Sequence, residues 1–536
     1  MFNKFKNLFK KNNKVDHKKT VMPSDLEKKV DLIKQELQDI DDIIFRKITL
    51  TDKYNNEFKT YLIFIKSLID NKIINDNIIT PLTLGLKKTD INLEDYKNSS
   101  IDKLISNKII SVQEVERINY MEKALNDILQ GKSLLLIDKT EFALSFSTEG
   151  WKERNVTMPN VERTIRGPQD AFTENIQVNM GLIRRKVKSK DLKVISITKG
   201  KYSCSNINIV YIKGIASDDI AKEVKKRIDT INTGQINGCQ HVAELIEDNP
   251  ISLFNTIYET ERPDIVATGI QEGRIAILTD GCPTSLLVPK LFAENFISPE
   301  DYYFRFWFTL GLRIMRFIAY ILSTILPALY VSIVSFHQEL LPSTLVRTIY
   351  SAREGVPLPI TFELILFGFF FEIVKHAGAA VPQNLSTSIT IVGTLIIGQT
   401  AITAGFVSAD AVIIGAITGI TIFLLPIIEF DHALYFFRIF FTLAAGLAGF
   451  YGITLVSVFL LAHLASLRSF GVPYLSPIAP LQLQDLKDIL IRVPYIFMNT
   501  RPESLETENT KRQGNQPVKR FFFKYKISEN QKGEKE

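Results

Sequence analysis

Residues 314–336 read IMRFIAYILSTILPALYVSIVSF, and residues 433–467 read ALYFFRIFFTLAAGLAGFYGITLVSVFLLAHLASL. Three further apolar runs lie between them, at Ile360–Val374, Ser388–Val407 and Ala411–Phe430. About 20 apolar residues in a helix span a bilayer core, and only helices satisfy their own backbone polar groups there. A buried bundle in a soluble protein is the alternative, but soluble core helices usually keep a charged face. The pattern therefore predicts an all-α transmembrane domain.

The run Ile360–Val374 differs from the other four. Glu363 and Glu372 bracket a short uninterrupted apolar stretch, Leu364–Phe371, which is typical of a re-entrant or interfacial helix. The other four runs are each expected to cross the membrane once. An even number of crossings leaves the hydrophilic N-terminal region and the basic C-terminus on one side, which we expect to be the cytoplasm.

Positive charge collects at the two ends of this 536-residue chain. Basic segments favour the cytoplasmic side and anionic lipid, although two solvated, disordered tails explain the charge equally well. The formal net charge of +6 is too small to argue for nucleic acid. Cys204, Cys239 and Cys282 are widely spaced and lack a metal-ligand pattern, so a reducing compartment is expected. The N-terminus lacks the apolar core of a signal peptide.

The hydrophilic two thirds of the chain alternate between strand and helix patterns after residue 130, which predicts an α/β (α+β) region of two subdomains. No internal repeat is evident. The predicted organisation is a basic tail at 1–23, a mostly helical soluble subdomain at 24–130, an α/β subdomain at 131–300, the transmembrane domain at 301–467, a Pro-rich membrane-proximal segment at 468–499 and a disordered basic tail at 500–536.

Motifs for catalysis are missing from the sequence. Gly131-Lys132-Ser133 resembles the end of a phosphate-binding loop, but Asn126 stands where the first glycine is required. The sequence contains no HExxH, GxSxG or GxGxxG. We therefore expect no enzyme, no catalytic residues, no cofactor and no metal.

The run Ser388–Val407 mixes apolar residues with uncharged polar ones. Gln399 and Thr403 are i,i+4 neighbours and share one helix face. Such groups can border a hydrated path, or they can simply pack helices together. The pattern alone favours packing. The candidate pore-lining residues are Thr394, Gln399, Thr400 and Thr403.

Other residues of the apolar block are candidates for packing or gating. Glu363 and Glu372 are candidate gating or ion-path carboxylates, because carboxylates at membrane depth are commonly functional. Small residues at four-residue spacing predict helix-packing faces; these are Gly415, Gly419, Ala444, Ala448 and Gly452. A dense charged set in the soluble part is either a partner contact or a solvated surface with local ion pairs; it includes Arg166, Asp170, Glu174, Arg184 and Arg185.

Several segments together resemble the A-subunit family of bacterial spore germinant receptors. The resemblance runs from about residue 130 to 495. It rests on Ile165–Asn175 (IRGPQDAFTEN), Asn179–Arg185 (NMGLIRR), Thr260–Asp264 (TERPD), Glu272–Gly281 (EGRIAILTDG) and Ser469–Pro473 (SFGVP).

This resemblance implies a function that composition does not. Members of the family lie in the inner membrane of dormant spores. They work with a B subunit that resembles amino-acid transporters and with a C-subunit lipoprotein. The A subunit is similar to proteins thought to form homo-oligomers that act as ligand-gated ion channels, whose cation release begins germination. With this resemblance, pore lining by Gln399 and Thr403 gains weight against helix packing.

Three alternatives stay open at this point. The chain could be a signalling scaffold that docks partner subunits while ions pass elsewhere. It could be a transporter, although such proteins often contain inverted repeats. It could also be a related sporulation-stage membrane protein that senses no nutrient.

Overall fold

The computed structural model describes the chain from residue 20 to residue 512, with gaps. The described residues are 20–51, 57–85, 104–105, 109–110, 112, 114–150, 159, 162, 164–379, 398–489, 492–495 and 498–512. The predicted tails 1–23 and 500–536 therefore lie largely outside the described residues.

The first structural unit is a five-stranded antiparallel sheet covered by helices. Its strands are β1 (Ile43–Thr51), β2 (Glu57–Ile65), β3 (Val115–Ile118), β4 (Ser133–Ile137) and β5 (Ala143–Phe146), in the order β1-β2-β4-β5-β3. Two helices, α1 (Leu26–Glu36) and α2 (Met121–Leu129), pack their apolar sides on one face of this sheet. The opposite face packs on a helical segment made of Asn71–Ile73, Ile74–Ile79 and Pro81–Gly85.

The second unit has the same topology. Its strands are β6 (Leu192–Lys199), β7 (Ser205–Ile212), β8 (Tyr258–Thr260), β9 (Ile275–Thr279) and β10 (Ser285–Val288), in the order β6-β7-β9-β10-β8. Its helices are α3 (Ile176–Lys186), α4 (Asp218–Thr230), α5 (Cys239–Ile246) and α6 (Pro263–Gln271). The strands of the two sheets are therefore arranged in the same order, with each strand number in the second sheet five higher than in the first. The soluble part thus contains the same fold twice.

One local feature shows the repeat most clearly. In each unit a helix ends two residues before a glycine with positive φ, and an apolar strand follows. In the first unit this glycine is Gly131 (φ 96°), between α2 and β4. In the second unit it is Gly273 (φ 103°), between α6 and β9. The expectation that the chain has no repeat is wrong, because the duplication is kept in topology while most side chains differ.

Two predicted boundaries in the soluble part also change. The region 24–130 was expected to be mostly helical, yet it supplies three strands of the first sheet. The division expected at residue 130 falls after β5 instead, because β4 and β5 pair with β2 and β3. The apolar spacing between Val115 and Ile128 suggests a single helix. In the structure this stretch contains β3 followed by α2.

The C-terminal part is a bundle of five helices among the described residues. They are α7 (Phe306–Phe336), α8 (Ser343–Ala352), α9 (Ile360–Ala379), α10 (Ala409–Ile422) and α11 (Ile428–Ser466), and short 3₁₀ turns at Phe292–Phe296 and Pro299–Tyr302 precede them. Residues 398–403 are also helical. Two stretches, Phe306–Phe336 and Glu429–Ser466, are long and apolar enough to cross a membrane.

Helix α11 is folded back on itself at Gly449, whose φ of 58° and ψ of −138° are not helical. The ring of Phe254 lies 5.4 Å from the Phe437 ring and 6.2 Å from the His463 ring. A straight helix would separate those two rings by about 39 Å. The final apolar run was expected to cross once, but it is a hairpin of two arms, residues 428–448 and 450–466.

Helix α9 is longer than its apolar stretch suggests. It has 20 residues, and Thr361 lies beside Gly446 while Lys375 lies beside Asp431. Its charged side chains do not interrupt it: Glu363 is buried beside Arg353 and Ser408 outside α9, and Glu372 is buried beside Lys375 of α9 itself. Helix α9 is not among the helices that are long and apolar enough to cross a membrane, so a re-entrant or interfacial position for it stays a prediction. The count of four spans stays a prediction.

The chain returns to the soluble part after the bundle. A short hairpin, β11 (Arg468–Ser469) with β12 (Val472–Pro473), packs on the second unit, where Ser469 Oγ donates to the Thr256 carbonyl at 2.6 Å. Turns at Asp485–Asp488 and Glu503–Leu505 follow, and Leu505 is fully buried in the second unit's core. Disorder was expected from residue 500, whereas residues 500–512 are packed, because Leu505 is buried in this core and Arg501 and Arg512 bond to Gln271 and Glu272.

Candidate functional site

A buried charge cluster joins the soluble part to the helical bundle. Asp301 is fully buried just before α7, where it accepts hydrogen bonds from Arg313 Nε at 3.0 Å and from Arg316 Nη1 at 2.8 Å. Arg313 and Arg316 are three residues apart, so α7 presents both guanidinium groups on one face. We call Asp301, Arg313, Arg316, Asp488 and Arg492 the junction cluster.

The C-terminal segment completes the junction cluster. Asp488 lies 3.2 Å from Arg313 Nη1 and accepts a hydrogen bond from the Tyr302 hydroxyl at 3.0 Å. Arg492 Nη1 donates to the carbonyl oxygens of Asp301 and Phe304. Burial raises the pKa of the Asp488 carboxyl, and the nearby Arg313 opposes that rise. Three separate parts of the chain are thus held by one set of desolvated charges.

A cavity of about 350 Å³ lies next to the junction cluster, between the second unit and the C-terminal segment. Its wall contains Tyr302 together with two ion pairs, Arg274 with Glu294 and Arg512 with Glu272. Burial raises the pKa of the Glu272 carboxyl. Most of the charged side chains that line the cavity are paired with one another. The lining therefore does not indicate which class of ligand would bind there.

A loop of the second unit forms another contact with the bundle. Phe254 is almost completely buried among aromatic rings of α11. Beside it, Asn255 Nδ2 donates to Glu429 Oε2 at 2.7 Å, and Ser252 Oγ lies 3.1 Å from His463 Nε2. Both arms of the α11 hairpin therefore touch the soluble part at the same place.

Inside the bundle, a second charge cluster surrounds Glu372. Lys375 pairs with Glu372 and with Asp431, the latter at 2.6 Å. Arg438 is buried nearby, and its Nε donates to the Ser323 carbonyl of α7 at 2.6 Å. Glu372 therefore lies in a network that ties α9 to α11, close to the soluble side.

Glu363 lies near the opposite end of the bundle. It is fully buried, accepts a hydrogen bond from the Ser408 backbone N–H and lies 3.8 Å from Arg353 Nη2. Ser408 caps α10, so the Glu363 carboxylate faces the positive end of that helix. The two predicted carboxylates thus have different partners at different depths.

The predicted pore-lining residues lie on the outside of the single chain. Gln399, Thr400 and Thr403 are exposed, and the Thr403 hydroxyl donates to the Gln399 carbonyl at 3.0 Å. Thr394 lies outside the described residues. The three described side chains form an uncharged polar surface on a bundle whose other exposed side chains are largely apolar.

The predicted packing residues lie at close helix contacts. A Cβ atom added at Gly415 would collide with the Phe367 ring, and one at Gly419 would lie 2.5 Å from Phe371 Cζ. This glycine pair therefore lets α10 approach α9. Gly452 lies against the backbone of Ala444 across the α11 hairpin, and Ala448 is exposed near its turn.

The charged set of the soluble part is divided by the structure. Arg184 is buried and pairs with Asp42 of the first unit, with Nη2–Oδ1 at 2.6 Å. Asp170 pairs with Lys186 at 3.1 Å. The others are exposed, and the Arg166 guanidinium lies 5.4 Å from the Phe304 ring centroid. Arg185 and Glu174 are on the surface, whereas Arg184 is internal.

Sequence reasoning missed the residues that join distant segments. Arg438 and Arg353 lie in or beside apolar helices and were not selected, although a lone arginine in an apolar run predicts a buried partner. From the sequence, Asp301, Arg313 and Arg316 are only charges that flank the first apolar run. Arg492 and Asp488 carry no local signal, since their partners lie more than 170 residues away.

The fold and the junction define a protein with a duplicated α/β soluble region joined to an apolar helical bundle. A family model described as Bacillus/Clostridium GerA spore germination protein matches residues 31–504, and the chain belongs to this family. Spore germination protein KA of Bacillus subtilis (strain 168) is 37% identical over 92% of this chain and 89% of its own length. Spore germination protein GerLA of Bacillus cereus is 34% identical over 89% of this chain and 95% of its own length.

One solved structure is also similar. The N-terminal domain of the A subunit of the Bacillus megaterium spore germinant receptor GerK3 is 30% identical to the chain. The match covers 51% of this chain and 98% of that domain, with a TM-score of 0.39.

Proposed function

We propose that this chain is the A subunit of a nutrient germinant receptor in the inner membrane of the spore, and that copies of it assemble into a ligand-gated channel that releases cations. In this proposal it performs no catalysis. It acts with a B subunit that resembles amino-acid transporters and with a C-subunit lipoprotein, and its soluble region and C-terminus lie in the cytoplasm.

The observation that carries the channel proposal is the polar surface formed by Gln399, Thr400 and Thr403. The Thr403 hydroxyl is bonded within its own helix, but an amide such as that of Gln399 is unfavourable against lipid unless it is hydrogen-bonded. In an oligomer the same surface faces other copies or a water-filled path, where amide and hydroxyl groups can replace the hydration of a passing ion.

The junction cluster supports the coupling step of the proposal. A change in the soluble region reaches α7 through Asp301, because Arg313 and Arg316 of that helix hold its carboxylate directly. A nutrient bound by a partner subunit can shift the equilibrium between the closed and open states only as far as its affinities for the two states differ.

The test is potassium efflux from spores that carry the complete receptor, comparing wild type with Gln399→Leu and Thr403→Val. Thr454→Val is the matched control, because Thr454 is also exposed and its hydroxyl also bonds within its own helix, to the Tyr451 carbonyl at 2.8 Å. With subunit abundance checked by immunoblot, altered efflux rate or ion preference in the first two variants alone supports the channel. Unchanged efflux in both favours the scaffold alternative.

A further inference from the structure

Two of the three cysteines lie against each other in the second unit. Cys239 is the first residue of α5, and Cys282 lies in the turn between β9 and β10. The Cys239 backbone N–H donates to Cys282 Sγ at 3.2 Å, and Cys239 Sγ donates to the Thr284 carbonyl at 3.2 Å.

Buried cysteines usually pack as small apolar side chains, but this pair has polar surroundings. Cys282 Sγ lies 3.1 Å from Thr284 Oγ1, in addition to the N–H of Cys239. The hydrogen bond from the Cys239 thiol lowers the pKa of Cys282 to about 6, whereas the same bond and burial raise the pKa of Cys239. Cys282 is therefore the more acidic thiol of the pair.

The pair is close to the surface on the Cys282 side. Cys282 is itself buried, at 7% exposed, but Asp280, Gly281 and Pro283 around it are exposed. Cys239 is 1% exposed. A small reagent therefore reaches Cys282 by displacing the exposed turn, while Cys239 lies behind it. An outer, more acidic thiol and an inner thiol are what a two-step exchange with a disulfide needs.

We propose that Cys239 and Cys282 form a modification site for small-molecule disulfides, which convert the pair into an intramolecular disulfide. The Cys282 thiolate attacks one sulfur of the disulfide RSSR and releases RS⁻, giving a mixed disulfide. Cys239 then loses its proton, attacks the Cys282 sulfur and releases the second RS⁻. The pair is oxidised by two electrons, and RSSR is reduced to two thiols.

The site lies next to a contact between the soluble part and the bundle. The Thr284 hydroxyl, which neighbours Cys282, donates to the Glu259 carboxylate. Burial raises the pKa of Glu259, and the charge of Glu429 at the start of α11 raises it further. Oxidation removes the thiol hydrogen that Cys239 donates to the carbonyl of Thr284, the residue just before β10.

The test uses the full-length chain in membranes of an expression host, treated with glutathione disulfide, alkylated with N-ethylmaleimide and digested without reduction for mass spectrometry. We expect a cross-link between the peptides of Cys239 and Cys282. Cys204, which is exposed, is the internal control and should form only a mixed disulfide with glutathione.

Single variants test the order of attack. Cys282→Ser should slow modification of Cys239 by about tenfold or more, because the outer and more acidic thiol is gone. Cys239→Ser should leave Cys282 as a stable mixed disulfide. The proposal is overturned if Cys204 is modified while both thiols of the pair stay reduced, or if Cys282→Ser leaves the modification rate of Cys239 unchanged. Wild-type peptide mapping decides the first point without any variant, so a misfolded variant cannot hide the result.

Discussion

Arg184 and Asp42 form a two-point ion pair between the repeated units, with Nη2–Oδ1 at 2.6 Å and Nε–Oδ2 at 2.9 Å. Both side chains are almost fully buried, and Ser67 Oγ donates a further hydrogen bond of 2.9 Å to Asp42 Oδ2. A parallel bridge between Ile40 and Val194 lies next to it. The two units are therefore held together by polar contacts at a buried surface.

Removing one partner of this pair should destabilise the soluble region strongly. Arg184→Ala leaves the Asp42 carboxylate buried without its cation, which costs roughly 3–5 kcal/mol. The expected result is a lower midpoint of chemical unfolding, measured on the full-length chain in detergent. Lys188→Ala, an exposed change two residues after α3, should stay within about 0.5 kcal/mol of wild type. If Arg184→Ala and Lys188→Ala lowered the unfolding midpoint equally, the result would contradict a stabilising role for the Arg184–Asp42 ion pair.

The glycines of α10 allow a test in which two similar substitutions have opposite signs. Gly415→Ala places a Cβ atom into the Phe367 ring and should destabilise the bundle by about 1–3 kcal/mol. Gly368→Ala in α9 meets open space and should be neutral or stabilising by up to about 1 kcal/mol, because alanine is the better helix former. Thermal melting in detergent measures both.

A double substitution checks the cause. Phe367→Ala should remove most of the penalty of Gly415→Ala, since the colliding ring is gone, although the smaller side chain leaves a cavity of its own. Additive losses in the double variant would show that Gly415 is needed for another reason.

Glu162 should make the second unit less stable as the pH rises. Burial raises the pKa of its carboxyl to about 7, although Thr260 and the Glu261 N–H donate hydrogen bonds to it. Because the folded pKa is above the unfolded one, its contribution is fully present below the unfolded pKa. That contribution is lost as the pH rises through about 7.

Hydrogen exchange around β8, compared at pH 5 and pH 8, measures this effect. Wild type should exchange faster at pH 8, after correction for the intrinsic exchange rate, than at pH 5. Glu162→Gln cannot ionise and should remove the difference. If Glu162→Gln kept the full difference in hydrogen exchange between pH 5 and pH 8, another titratable group would be its cause.

The sequence predicts local features better than long-range ones. The helix of residues 218–230, the strand pair at 133–146 and the strand at 275–279 follow from apolar spacing and turn residues. The junction cluster could not be predicted, because Asp301 and Arg492 are far apart in the chain and neither is unusual in its neighbourhood. The α11 hairpin was hidden for a different reason: the run is apolar throughout, so hydropathy shows no turn, and Gly449 is one of several glycines in it.

That hairpin is the structural feature most directly open to measurement. Spin labels at Phe436→Cys and Ala462→Cys, both exposed positions on opposite arms, can be introduced after the three native cysteines are replaced by serine. A straight helix would place these positions about 39 Å apart. The hairpin places the two arms side by side, so a pulsed electron resonance distance roughly half of that or less is expected.

The matched control is the pair Phe436→Cys and Ala448→Cys, both in the first arm, whose separation should be about 18 Å in either arrangement. Gly449→Ala should also broaden the 436–462 distance distribution, because a φ of 58° is unfavourable for alanine and the added Cβ would lie 3.1 Å from Phe336 Cβ. A single narrow distance near 39 Å in the wild-type background would show that the last apolar run is one straight helix and that the return of the chain to the soluble part follows another path.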